Sequence, residues 1–228
     1  MLYDTLALYY DELLGDSESL DIWVEKVEKE INGRDILELA CGSGELALKL
    51  GAKGYNVYAT DISQQMIEVA KGKNKIDNVS FSELDMKDFT LDKKFDAILC
   101  FCDSFNYFND LNEVESFIIN AKKHLKDDGV LMFDTHHLER LNEFEDEYIE
   151  EGSLKDIFYQ WTIKSDKLSS RLMEHFAFYF ENNTVTESHS QMVFDPKALA
   201  ELMANYLDTK YDLEFVENEK IMFVGRNR

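Results

Sequence analysis

The chain has 228 residues, a net charge of −22, a single proline and ten glycines. That length suits one large domain, or one domain with an insert, burying about 70% of its unfolded surface without disulfide staples, and the composition excludes disorder or low complexity. So acidic a surface repels phosphate backbones and anionic lipid, which disfavours nucleic acid and membranes as partners.

In chain order, residues 3–14 predict a short helix with tyrosines at 3, 9 and 10. Apolar positions 20, 24, 27 and 31 keep a helical period that ends at Asn32-Gly33. Residues 35–39 predict a first strand, which passes through a glycine turn into a helix reaching about Leu50, with Gly51 and Gly54 breaking the pattern. A second strand, 56–60, ends at Asp61; Ser63 can cap a helix over 64–71. Residues 79–84 alternate as a third strand ending at Asp85-Met86. The nearly all-apolar run 95–101 predicts a central fourth strand, followed by a polar and aromatic loop over 102–108. A helix over 111–125 follows, and Asp128-Gly129 turns into a fifth strand, 130–133, ending at Asp134.

Five rounds of strand and helix imply a mainly parallel sheet covered on both faces. Ser43, Asp61, Asp85, Asp103 and Asp134 each follow a strand, where ligands bind in open α/β sheets. The alternation then stops. Between about Glu143 and Phe194 it gives way to three strand-like runs, 157–164, 168–181 and 184–194, with Asn182-Asn183 as a tight turn. Pro196 opens a helix over 197–207, and runs 211–216 and 220–225 predict a closing antiparallel hairpin. Cys41, Cys100 and Cys102 lack metal-ligand spacing, so no metal is expected, and they fit a reducing compartment. With no signal pattern and no run of eighteen apolar residues, a soluble, cytoplasmic protein is expected.

Gly42-Ser43-Gly44-Glu45-Leu46-Ala47 satisfies a dinucleotide fingerprint whose last glycine is replaced by alanine. Asp61 stands nineteen residues beyond Gly42, about where a ribose-binding acid belongs. The turn alone fits either a nicotinamide cofactor or S-adenosylmethionine. Glu38 puts a carboxylate where a pyrophosphate would be repelled and a cationic ammonium or sulfonium welcomed. Asp85-Met86 offers an acceptor for an adenine amino group and a flexible apolar surface for its ring. The sheet also closes with a hairpin instead of a sixth parallel unit.

With the glycine motif Glu38-Leu39-Ala40-Cys41-Gly42-Ser43-Gly44, the chain resembles the class I S-adenosylmethionine-dependent methyltransferases over residues 3–134 and the closing hairpin. The resemblance implies a Rossmann-like, seven-stranded, mainly parallel sheet in residues 1–142 and 195–228. Residues 143–194 would then be a small antiparallel β insert that caps it. It also implies S-adenosylmethionine as cofactor and S-adenosylhomocysteine as product. By position, Ala40, Gly42 and Gly44, with Cys41 between them, would floor the methionine part, and Glu38 would fix the loop. Asp61 would accept both ribose hydroxyls, with Ile62 and Met66 beside the adenine. Asp85 would receive the adenine amino group and the Met86 amide a ring nitrogen. Phe101 and Cys102 would lie near the methionine portion, and Tyr3-Asp4 with Tyr9-Tyr10-Asp11 resemble the family's lid. Leu46 departs from the usual third glycine.

Methyl transfer needs an in-line nucleophile and, for an amine or hydroxyl, a home for its proton. The candidates are Asp103, Ser104, Asn106 and Tyr107 after the fourth strand, and His136 or His137 after the fifth, one of which is the expected base. Within the insert, Phe176, Phe178 and Phe180 share one strand face, which its own packing would explain. An insert at this place also resembles the acceptor-binding cap of small-molecule methyltransferases, amino-sugar N-methyltransferases among them. The expected activity is methyl transfer to nitrogen or oxygen of a small molecule. The alternatives are methylation of tRNA bases, which the charge opposes, and a non-catalytic S-adenosylmethionine-binding module. Acceptor identity and oligomeric state stay open.

Overall fold

Two apolar layers, one on each face of a single sheet, make the core. The computed structural model describes residues 5–15, 20–154 and 157–228. Its strands are β1 (Asp35–Leu39), β2 (Asn56–Asp61), β3 (Val79–Glu83), β4 (Phe95–Cys100), β5 (Leu125–His136), β6 (Tyr148–Leu154), β7 (Ile157–Asp166), β8 (Arg171–Tyr179), β9 (Thr184–Met192), β10 (Asp208–Val216) and β11 (Lys220–Arg226). The helices are α1 (Tyr10–Leu13), α2 (Asp21–Glu30), α3 (Glu45–Ala52), α4 (Gln64–Lys73), α5 (Leu111–His124), α6 (Arg140–Glu143) and α7 (Pro196–Ala204).

Seven strands form the main sheet in the order β10-β11-β5-β4-β1-β2-β3, with β1 to β5 parallel and β11 antiparallel to both neighbours. Strand period two sends Ile36, Ala97, Leu99, Val130 and Met132 to one face, against Trp23, Val27, Leu46 and Leu50 of α2 and α3. Leu37, Leu39, Ile98, Leu131 and Phe133 go to the other, against Phe117 and Ile118 of α5 and Met203 of α7. Each such side chain, fully buried, contributes about 1.5–3 kcal/mol. The strand order reverses between β1 and β4, which opens a crevice at their carboxyl ends.

Several helix starts follow from local chemistry. Ser63 accepts the Met66 N–H as expected, and Asp110 accepts those of Asn112 and Glu113. Asp195 accepts the Ala198 N–H, with Pro196 in the first turn, where a missing donor costs nothing.

Four expectations change. The N-terminal helix is broken into a 3-10 turn (Leu6–Leu8) and the short α1, with Tyr9 between them; Tyr3 and Asp4 lie outside the described residues. Gly51 does not end α3 but sits inside it, because a Cβ there would come within 2.2 Å of Val79 on β3. β5 continues past Asp134 to His136, because β11 pairs with it as far as Lys220↔His136 and supplies hydrogen bonds that a polar sequence would not announce. The insert has four strands, ordered β6-β7-β8-β9, not three. The additional β6 is an edge strand with no buried residue, and its apolar Tyr148, Ile149 and Leu154 do not alternate with its polar ones.

The insert is tied to the main sheet by polar bonds. Asn106 donates to the Met192 carbonyl at 2.6 Å, and the Ser165 hydroxyl to the Leu141 carbonyl at 2.8 Å. Glu187 accepts the backbone N–H groups of Thr5 and Leu6 at 2.6 and 2.9 Å. Among the described residues no helix is long and apolar enough to cross a membrane.

Candidate active site

A cavity of about 730 Å³ lies at the carboxyl ends of β1, β2 and β4, and the inner face of the insert roofs it. The glycine turn forms one end. Ala40, Gly42 and Gly44 all hold left-handed backbone, at φ 54°, 53° and 83°. A Cβ on Gly44 would strike the Phe81 ring at 2.6 Å. One on Gly42 would meet only Tyr10, at 4.0 Å, so the turn presents bare backbone to the cavity.

Asp61, not Glu38, fixes this turn. Its two carboxylate oxygens accept the N–H groups of Gly42 and Ser63, each at 2.8 Å, and so tie the turn to the start of α4. Burial raises the Asp61 carboxyl above its ordinary range, and those backbone bonds oppose the rise. The expectation that Glu38 holds the loop is corrected, because the turn amides point toward the end of β2. Glu38 is 4% exposed and faces the cavity, and its Oε2 has no hydrogen-bond partner among the described residues. Burial, and then the Asp61 charge, push its carboxyl up to about 8. Ile62, 55% exposed, stands on the same wall with Met66, Asp85 and Met86.

This donor set fits S-adenosylmethionine. An orphaned buried acid suits its ammonium, an uncovered isoleucine its adenine, and a turn without side chains leaves room for the methionine part. Asp85 accepts the Lys87 N–H at 2.8 Å through Oδ1, which sets its carboxylate at the rim. Tyr10 lines the cavity, whereas Tyr9 turns away and stacks on Phe178 at 5.8 Å. Asp11 beside them accepts from Ser43 in the turn and pairs with Lys73 at 2.6 Å, so this segment is anchored to the glycine motif.

Past the turn, Phe101 and Cys102 lead into a strained corner. Cys102 and Asp103 hold left-handed backbone without being glycine, at φ 56° and 66°. Buried Asp134 stabilises the corner by accepting the Cys102 and Asp103 N–H groups at 3.1 and 3.2 Å and Trp23 Nε1–H at 2.9 Å. Burial lifts Asp134 to about 6, with Lys220 opposing. Lys220 pairs with Asp103 at 2.6 Å. Burial would raise the Asp103 carboxyl, yet Lys220 and His136 hold it well below the carboxylate range. Burial would likewise lower Lys220, yet Asp103 and Asp134 hold it above its ordinary value.

The two candidate bases separate here. His136 lines the cavity, but both ring nitrogens are taken: Nδ1 is 3.2 Å from Asp103 and Nε2 is 2.8 Å from Gln191 Oε1. Burial lowers its pKa, with Asp103 opposing. In this geometry neither ring nitrogen of His136 points unpartnered into the cavity. His137 lies outside the cavity lining, where its Nδ1 accepts the Glu139 N–H at 3.2 Å, because strand alternation sends it the other way. Tyr107 does face the cavity, with its hydroxyl 2.9 Å from His189 Nδ1. Burial, and then His175, hold His189 down to about 4, so its ring is neutral at pH 7.

No residue of the insert was among the candidate site residues, yet several of them line the cavity. Register places Trp161, Phe176 and Glu187 in one cross-strand row, and Ile163, Glu174 and His189 in the next. Trp161, Glu174, Phe176, His189 and Gln191 all line the cavity. Of the aromatic stripe only Phe176 reaches the cavity, its ring parallel to that of Trp161 at 5.4 Å, while Phe178 packs under Tyr9. One signal was available: along β8, Glu174 interrupts the apolar face of Leu172, Phe176 and Phe178.

Comparison with known proteins finds methyltransferases. A family model described as a methyltransferase domain matches residues 36–129. YqeM of Bacillus subtilis (strain 168), an inferred methyltransferase, is 32% identical over 215 residues, covering 90% of this chain and 85% of its own. A ubiquinone biosynthesis O-methyltransferase of Rickettsia conorii is 26% identical over 198 residues, covering 84% of this chain and 65% of its own. Among solved structures, an S-adenosylmethionine-dependent methyltransferase from Clostridium acetobutylicum ATCC 824 superposes with a TM-score of 0.77 at 23% identity. That superposition covers 99% of this chain and 98% of the other, and carries the fold.

Proposed function

This chain belongs to the class I S-adenosylmethionine-dependent methyltransferases, and we propose that it methylates nitrogen or oxygen of a small molecule held between the sheet and the insert. The observation that carries the proposal is one cavity shared by both: Glu38, Gly42 and Asp61 line one part, Trp161, Glu174 and Phe176 another. On this reading residues 1–142 and 195–228 are the cofactor domain, and residues 143–194 the acceptor cap.

When bound, S-adenosylmethionine supplies an electrophilic methyl carbon on a sulfonium. The chain's own work is then positioning and exclusion of water. Asp61 is placed to accept ribose hydroxyls while it braces the turn, and Glu38 to receive the ammonium. Ile62, Met66 and Met86 flank the adenine, and Tyr10 closes over the glycine turn. The strained Cys102–Asp103 corner, held by Asp134, fixes the wall where sheet and cap sides meet. Tyr107, backed by a neutral His189, offers a hydroxyl to orient an acceptor.

A tRNA substrate fits poorly. A net charge of −22 and a cavity roofed by the insert favour a compact acceptor. Cytoplasmic residence suits three free cysteines, which stay reduced there. The test is transfer of labelled methyl from S-adenosylmethionine to a library of amines and hydroxylated metabolites, with bulk tRNA alongside. Label in small molecules is the expected result; label in tRNA alone, lost steeply with salt, overturns the proposal.

A further inference from the structure

The charges on the cavity wall are not evenly matched. Its three described cations each face an acid of their own. Lys220 pairs with Asp103 at 2.6 Å, Lys87 with Glu113 at 2.8 Å and Arg140 with Glu143 at 2.6 Å. Besides Asp61, whose carboxylate accepts two backbone N–H groups in the glycine turn, two inward-facing acids of the same wall have no ion pair among the described residues. Glu38 is one, and the cofactor's ammonium accounts for it. Glu174 is the other, and nothing in the cofactor's half accounts for it.

Glu174 sits in mid-strand on the apolar inner face of the insert, with Leu172 and Phe176 on either side of it along that face. Its Oε2 accepts Trp161 Nε1–H at 3.1 Å, and Arg140 and Lys220 act on it only through space. A carboxylate placed so is costly to desolvate unless a partner arrives. The surroundings say which partner. The Trp161 and Phe176 rings stack at 5.4 Å with 10° between planes, and His189 stands edge-on to Phe176 at 5.7 Å. Ring faces beside a carboxylate attract a cation and repel an anion. A neutral hydroxyl would leave the charge unmatched.

We propose that the acceptor is an amine that enters as a cation, its ammonium seated between Glu174 and the Trp161–Phe176 stack. The inference rests on the small-molecule reading above and narrows it. The chemistry balances within the site. The ammonium gives one proton to the Glu174 carboxylate, which becomes the acid, and the nitrogen regains its lone pair. The N–CH₃ bond forms as the S–CH₃ bond breaks, sulfur keeps the electron pair, and the positive charge passes from sulfur to nitrogen. Burial holds the Glu174 carboxyl up to about 7, which suits a group that gains and returns a proton near neutrality.

Glu174→Gln tests this, because its amide oxygen can still accept from Trp161. On the full chain saturated with S-adenosylhomocysteine, calorimetry with benzyltrimethylammonium reads the seat without turnover. The variant should bind this cation at least tenfold more weakly, keep its affinity for S-adenosylhomocysteine within twofold, and treat benzyl alcohol as wild type does. Equal binding of the cation by both proteins overturns the proposal, and so does an equal loss for benzyl alcohol. In parallel, labelled methyl transfer to primary and secondary amines should fall at least a hundredfold in kcat/KM. Label in alcohols but never in amines sinks the amine and spares the small-molecule reading. Label in neither, with cofactor binding intact, sinks both.

Discussion

The sheet side and the cap side of the cavity are built by different rules. On the sheet side the functional groups stand at strand ends and the backbone does much of the shaping. Ala40, Gly42, Gly44, Cys102 and Asp103 are all left-handed, and buried carboxylates brace the corners that result. On the cap side the groups stand in mid-strand, held by register and by side-chain bonds such as Trp161 to Glu174, and the backbone is ordinary antiparallel sheet. A backbone-built wall tolerates few substitutions without losing its shape. A side-chain-built wall can change its chemistry while its strands stay paired, so on the proposed reading the insert is where acceptor choice can vary on a constant fold.

The comparison breaks hardest at Asp61. Asp61→Ala removes both the proposed ribose acceptor and the brace on Gly42. Affinity for S-adenosylhomocysteine should fall about a thousandfold by calorimetry, roughly 4 kcal/mol; undiminished affinity would sink the cofactor assignment.

Gly44→Ala comes next. The new Cβ would meet Phe81 at 2.6 Å on left-handed backbone, so about 2–3 kcal/mol of stability should be lost, read as a lower urea midpoint. A variant as stable as wild type would show that the turn is less constrained than argued.

Glu38 gives a smaller effect with a definite sign. Its carboxyl rises from 4.5 to about 8 on folding, so without cofactor the folded chain keeps a proton that the unfolded chain releases. Stability therefore falls as pH climbs between those values. Glu38→Gln should flatten that fall in thermal scans from pH 5 to 9, and weaken S-adenosylhomocysteine binding about tenfold, roughly 1.4 kcal/mol. An unchanged pH slope would remove Glu38 from the account.

The smallest effect tests how the cap holds the N-terminal segment. Glu187→Ala orphans the Thr5 and Leu6 N–H groups and should cost about 1–2 kcal/mol, lowering Tm by a few degrees. Proteolysis should then begin near residue 10; unchanged cleavage would show that other contacts hold the segment.

Much of this was legible and some was not, for a physical reason. Glu38, Gly42, Gly44, Asp61 and Asp85-Met86 lie within or just after their strands, so spacing along the chain locates them before any contact is known. The helix starts at Ser63, Asp110 and Asp195 are equally local. His136 and His137 could not be separated by spacing; only pairing with β11 showed that the strand runs on and turns one of them inward. Lys220 carries no signal of its own, since its partner Asp103 comes from a distant loop. β6, at an edge with no buried residue, gave no alternation to follow.

The sequence by itself determined the layered α/β sheet and the glycine turn, because those rest on periodicity and on backbone conformations that few residues can adopt. The tertiary structure decided that Asp61 rather than Glu38 braces the turn, that His136 is already engaged, and that Glu174 stands in the cavity wall without a counter-ion. Each of those depends on which groups from remote strands come within a few ångströms. Burial and ion pairing are set by that proximity, and no local pattern encodes it.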